Sequence, residues 1–262
     1  MSALGARHRD VALLRTLLRD RAARDDSGLL AIDSPRAIDG ALDRDVPLRA
    51  VYVAVDAAPS SRLVAQRATN RDIAVYELEA GVADRIADVR TSSGIFALAP
   101  QQRAAVDALG HGDFWLALVH IGDPGNLGTL VRAAEAAGAH GIIVGSGSVD
   151  VYNPKVVRAS AGAVFGIPVV EGDTVTALAT LRARGVRCLG AAAGSGKGHT
   201  EAPFGEPVCV VLGHETRGLG DVALDGHVHV PMAGAVESLN VAMAGTVLLF
   251  EVARQRAGEG PR

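Results

Sequence analysis

The chain has 262 residues, 48% of them hydrophobic and 21% charged, with a formal net charge of −3. This is enough apolar material for a sizeable core and enough length for two ordinary domains, and it argues against a protein coated in basic surface, so nucleic-acid binding would need a local patch. The opening stretch MSALGARHRDVALLRTLLRDRAARDD lacks the unbroken apolar run of a signal peptide, and no later segment reaches about 18 apolar residues without a polar interruption, so a cytoplasmic globular protein with no membrane partner is expected. In residues 1–24, Val11, Leu14, Leu17 and Leu18 recur at helical spacing, while Arg7, Arg9, Arg15, Arg19, Arg21 and Arg24 outnumber Asp10 and Asp20. One face of this helix packs and the other is basic, which fits either a solvated face or an arm that touches phosphate. From Leu29 to Leu98 the apolar runs LLAI, AVYVAV, IAVYEL and GIFALA alternate with helical stretches at Ser34–Leu42 and Ser60–Ala68, the pattern of a small α/β unit. PQQRAAVDALGHGDF then breaks the pattern with Pro100, Gly110 and Gly112. The expected division is a domain over 1–105, a linker over 106–113 and a second domain over 114–262. In the second domain strands are expected near Trp115–His120, Gly141–Gly145, Arg187–Ala191, Val208–Leu212 and His227–Val230, separated by helical patterns at 126–137, 173–184 and 238–256. The fold class is therefore α/β, a parallel sheet with helices on both faces.

In such a sheet ligands gather outside the carboxyl ends of the strands, so the segments that follow strands carry the functional information. Three stand out. GDPGNLGTLVRAAEAAG follows the Trp115 strand and places Asn126 as a helix N-cap, with Arg132 further along among small residues. GHETRGLG follows the Val208 strand with Glu215 and Arg217 among three glycines. PMAGAVESLN follows the His227 strand and sets Glu237, Ser238 and Asn240 at the start of a long apolar helix. Taken singly, Asn126 and Ser238 read as caps, Asn240 as a first-turn residue and Arg132 as a surface arginine or a partner of Glu135.

Familiar phosphate and metal motifs do not fit. The glycines of GDPGNLG are spaced GxxGxxG, and no acidic residue stands about 20 positions on to hold a ribose, which disfavours a nicotinamide site. GSGKGHT, residues 194–200, has Ala191 and Gly198 where a P-loop needs glycine and a hydroxyl, and reads as a flexible loop. His227 and His229 share a strand face without a third ligand at a supporting spacing, and Cys188 and Cys209 sit in apolar runs as buried thiols, so no metal is expected.

In order and spacing, NLGTLVRAAEAAG, VVLGHETRGLG and VPMAGAVESLNVAMAGTVLLFE resemble the three signature motifs of the SpoU/TrmH family of RNA ribose 2′-O-methyltransferases. The connecting VVRASAGAVFGIPVV, with Arg158, Ser160, Gly162 and Pro168, resembles the family's linking segment. LLAIDSPRAIDGAL and TSSGIFALA resemble the substrate-binding domain of ribosomal-RNA members. The resemblance implies an S-adenosylmethionine site built from three loops, a trefoil knot and a homodimer. It implies catalytic roles for Arg132, Asn126, Glu215, Ser238 and Asn240, with Arg132 at the phosphate beside the target ribose. It implies a cofactor cradle of Leu212, Gly213, Val230, Met232 and Leu239. With the basic first domain, it makes Arg7, Arg9, Arg24 and Arg158 the candidate RNA contacts. The expected substrate is structured RNA, ribosomal RNA favoured. A transfer-RNA substrate, or an RNA-binding or ribosome-assembly factor without activity, is the alternative.

Overall fold

Runs that read as strands in the sequence are strands in the computed structural model of the protein, which describes residues 3–87, 92–104, 106, 109–213, 218–220 and 222–257. The chain divides into two compact units, Met1–Gln102 with Tyr152–Gly166, and Arg103–Val151 with Ile167–Arg262. The sequence suggests a single crossing at residues 106–113. Residues 152–166 instead belong with the first unit, for a packing reason given below.

In the first unit, α1 (Arg9–Arg19) buries Val11, Leu14, Leu17 and Leu18, as their spacing requires. α2 (Arg21–Ser27) is capped by the Asp20 carboxylate and ends at Gly28, whose φ of 63° a side chain would make costly. Then come β1 (Leu29–Ile32), α3 (Pro35–Asp43), β2 (Ala50–Ala54), α4 (Pro59–Thr69), β3 (Val75–Leu78), α5 (Val82–Ile86) and β4 (Ile95–Pro100). The sheet order is β1-β4-β2-β3, with β4 antiparallel to both neighbours and β2 parallel to β3. Leu14 and Leu17 of α1 share one apolar cluster with Tyr52, Phe96 and Ile86.

The second unit begins with β5 (Phe114–Leu118), α6 (Pro124–Ala136) and β6 (Gly141–Gly145). The chain then leaves for the first unit, where it forms α7 (Pro154–Ser160), and returns as β7 (Val169–Gly172), α8 (Thr174–Ala183), β8 (Arg187–Ala191), β9 (Lys197–Gly198), β10 (Val208–Leu212), β11 (Gly226–His229) and α9 (Val241–Ala257). α7 packs on α3 and β1. Gly40 and Gly162 let the two segments touch: a Cβ on Gly40 would lie 3.0 Å from the Ala161 carbonyl oxygen and 3.1 Å from Gly162 Cα. Val156 and Val157 are buried there, and their burial explains why a stretch from the middle of the chain belongs with its start.

The second sheet runs β7-β6-β5-β10-β8-β11-β9, and its pairings are parallel. β5, β6 and β10 are buried at every position, as strands covered on both faces must be. Val211 faces the cluster that contains Leu178 and Leu181 of α8. The neighbouring Leu212 faces α6 and α9, where a Cβ on Gly245 would come within 2.5 Å of Leu212 Cδ1 and 2.4 Å of Leu130 Cδ2. β8 lies between β10 and β11, yet α9, which follows β11, packs against β10 and α6. Residues 230–240 therefore carry the chain back across the carboxyl ends of β8 and β10. Among the described residues no helix is long and apolar enough to cross a membrane.

Candidate active site

At those carboxyl ends is a cavity of about 800 Å³. Its wall includes Leu212 and Gly213 at the end of β10, Val230 and Met232 after β11, and Ser238, Leu239 and Asn240 before α9. The five residues expected to cradle a cofactor thus lie on one wall, although three segments of sequence supply them. Gly213 is there because nothing larger fits: a Cβ would stand 2.2 Å from the Gly218 carbonyl oxygen.

Two helix starts meet beside the cavity. The N-cap of α6 is Asp123, whose Oδ1 accepts the Asn126 amide at 2.7 Å; Asn126 itself is the third residue of the helix and is not the cap. Relieved of capping, its side-chain Oδ1 accepts Nδ2 of Asn240 at 3.1 Å. Asn240, expected in the first turn, is the cap of α9: its Oδ1 accepts the amides of Ala242 at 2.9 Å and Met243 at 3.4 Å. Ser238 lines the cavity two residues earlier and is exposed.

Arg132 lies on α6 with an exposed side chain and, among the described residues, makes no hydrogen bond or ion pair. It is not part of the cavity wall. Glu215 lies outside the described residues. Arg7 and Arg9 are exposed on the first unit. Arg24 is a correction: it is 3% exposed and donates to the Leu17 carbonyl at 2.7 Å, closing the joint between α1 and α2, so it cannot meet phosphate. Arg158 is committed elsewhere as well, pairing at 2.5 Å with Asp33, whose side chain is 2% exposed and needs the countercharge.

Sequence reasoning missed part of the wall. Ala191, Ala192 and Ala193 line the cavity where β8 gives way to the glycine-rich loop, and His227 and His229 line it from β11. Their positions at strand ends were the available signal. Among the described residues no cluster of three histidine, cysteine, aspartate or glutamate side chains could hold a metal.

The strand order, the returning segment and the paired asparagines describe a ligand site of a recognisable class. Residues 113–250 match the model of the SpoU rRNA Methylase family, and the chain belongs to that family. It is 37% identical over 162 residues to the 23S rRNA (guanosine(2553)-2′-O)-methyltransferase RlmP of Bacillus subtilis, a match covering 58% of this chain and 65% of the relative. It is 38% identical over 142 residues to a 23S rRNA (uridine(2479)-2′-O)-methyltransferase of Streptomyces viridochromogenes, covering 51% of this chain and 50% of the relative. The chain thus spans between half and two thirds of these curated relatives' length. The fold is similar to the crystal structure of the SpoU methyltransferase AviRb from Streptomyces viridochromogenes in complex with the cofactor AdoMet, with a TM-score of 0.80, 25% identity, and coverage of 96% of this chain and 100% of that one.

Proposed function

We propose that the protein transfers a methyl group from S-adenosylmethionine to a ribose 2′-hydroxyl of structured RNA, ribosomal RNA being favoured by the named activities of its relatives. The observation that carries the reading is the cavity at the carboxyl ends of β8, β10 and β11, walled by the family's second and third motifs and pinned by the Asn126–Asn240 bond. Its volume falls within the roughly 300–1,000 Å³ of small-molecule sites. A backbone bared at Gly213 beside apolar Leu212, Val230 and Leu239 suits an adenosine, which needs both a flat apolar slot and main-chain hydrogen bonds.

When bound, S-adenosylmethionine supplies an electrophilic methyl group. The chain must hold the ribose oxygen in line, favour loss of its proton and exclude water. Asn126 and Asn240 fix the two helix starts against each other, which keeps the wall of the site rigid. Arg132, uncommitted among the described residues, is the group we assign to the phosphate beside the target ribose. A guanidinium does not give up its proton near neutral pH, so its contribution is electrostatic, lowering the cost of negative charge on the 2′-oxygen. Glu215 and Ser238 are assigned to positioning. The exposed arginines of α1 and its flank, Arg7 and Arg9 among them, are the proposed RNA contacts of the first unit.

We further infer a homodimer. Met243, Val247 and Phe250 of α9 are 63%, 37% and 48% exposed and fall at i, i+4 and i+7, an apolar stripe that a second copy would cover. The return of residues 230–240 supports the family's trefoil knot, and a cytoplasmic location fits an RNA substrate.

The test is transfer of labelled methyl from S-adenosylmethionine to ribosomal RNA, followed by alkaline hydrolysis, which cannot cleave beside a 2′-O-methyl group. Label in alkali-resistant dinucleotides is expected; absence of transfer to ribosomal and transfer RNA by cofactor-loaded protein would sink the reading.

A further inference from the structure

We infer that Glu237 gives the cavity a charge preference, so that it holds a cationic sulfonium ligand more tightly than the neutral thioether that remains after methyl transfer. The inference rests on the methyltransferase reading above and adds a specificity-determining residue to it. Among the described residues of the wall Glu237 is the only carboxylate, and none of those residues is a lysine or an arginine. The other ionisable side chains there are the imidazoles of His227 and His229. Glu237 is exposed and, among the described residues, makes no ion pair.

A sulfonium amino acid carries a sulfonium, an ammonium and a carboxylate, one net positive charge. Removal of the methyl group leaves a thioether with the same ammonium and carboxylate and no net charge. The two ligands are otherwise nearly the same shape, so apolar walls and backbone donors bind them about equally. A fixed negative charge on the wall distinguishes them by Coulomb attraction alone. Because Glu237 is reached by water and ions, the discrimination is modest, about 3- to 10-fold at low ionic strength, and it falls as salt rises. The preference helps the spent ligand to leave and fresh ligand to replace it.

Calorimetric titration of the full-length protein and of Glu237→Gln with S-adenosylmethionine and with S-adenosylhomocysteine, at low and at high salt, tests this. Glutamine is near-isosteric at an exposed position, and circular dichroism checks that the fold is retained. The expected result is that Glu237→Gln weakens sulfonium binding about 3- to 10-fold while thioether binding is unchanged, and that salt erodes the preference in the wild type but not in the variant. Equal weakening of both ligands, or an unchanged ratio, overturns the inference while leaving the methyltransferase reading in place. If the wild type binds neither ligand, that reading fails and the inference with it.

Discussion

Asn240 donates to Asn126 across 3.1 Å while accepting two amides of its own helix, so a single side chain both caps α9 and ties it to α6. The two tasks can be separated. Aspartate at 240 keeps the cap and loses the donor, whereas alanine loses both. Asn240→Ala should lose about 1–2 kcal/mol of stability. Asn240→Asp should melt within a few degrees of the wild type, yet methylate roughly tenfold more slowly because the wall of the site is no longer pinned. Thermal melts beside a single-turnover methyl-transfer assay distinguish these outcomes; equal activity for Asn240→Asp and the wild type would mean that the bond between the asparagines is incidental.

Arg132→Ala is predicted to fold and to bind S-adenosylmethionine normally, since the side chain is exposed and does not line the cavity. Methyl transfer at saturating RNA should drop at least about 100-fold. Wild-type transfer rates in that variant would reduce Arg132 to an ordinary surface arginine.

On α9, Phe250→Glu places a charge in the middle of the exposed apolar stripe. Sedimentation should then show the dimer replaced by monomer at micromolar concentration, with loss of activity if the partner contributes to the site. A wild-type protein that is itself monomeric would remove the basis of this prediction and of the dimer.

Glu251, 8% exposed in α9, has its carboxyl held at about 2 by hydrogen bonds from Arg254 and Gln255. An unfolded glutamate titrates near 4.3. The folded value lies below the unfolded one, so the stabilisation is fully present above about pH 4.3 and is lost as pH falls towards 2. Arg254 is 65% exposed and partly screened by solvent, which keeps the effect small. Glu251→Gln should therefore lower Tm by roughly 2–4 °C at pH 7, and the gap from the wild type should narrow below pH 4. A gap that stays constant with pH would mean that the carboxylate charge plays no part.

Much of this architecture could be read from the chain, for reasons that differ by element. The fully buried strands β5, β6 and β10 are continuous apolar runs, so their positions followed from pattern alone, whereas β7 and β9, at the two edges of the sheet, were not expected. The cradle residues Gly213, Val230 and Leu239 were reached only through motif resemblance, because apolar side chains and a glycine carry no chemical signature of their own. The caps were misassigned at both helices for a common reason. Asp123 and Asn126, like Ser238 and Asn240, offer two capping side chains within one turn, and which of them caps depends on where the preceding strand delivers the chain. Arg24 was misplaced because a sequence shows charge but not the helical joint that buries it. The excursion of residues 152–166 was also hidden, since it depends on glycine-to-glycine packing between segments more than a hundred residues apart.

That excursion bears on how the chain is made. The first unit lacks its second segment, Tyr152–Gly166, which begins 50 residues after Gln102 and is complete only 64 residues after it. At roughly 5–20 residues per second this leaves a nascent first unit unfinished for about 3–13 s, its β1 and α3 surfaces waiting for Val156 and Val157. An amino-terminal fragment released in that interval should be prone to aggregation, and a carboxyl-terminal fragment begun near residue 108 should carry a sticky, unhoused α7. No single cut can separate the two units; the order of synthesis ties the completion of the first to the growth of the second.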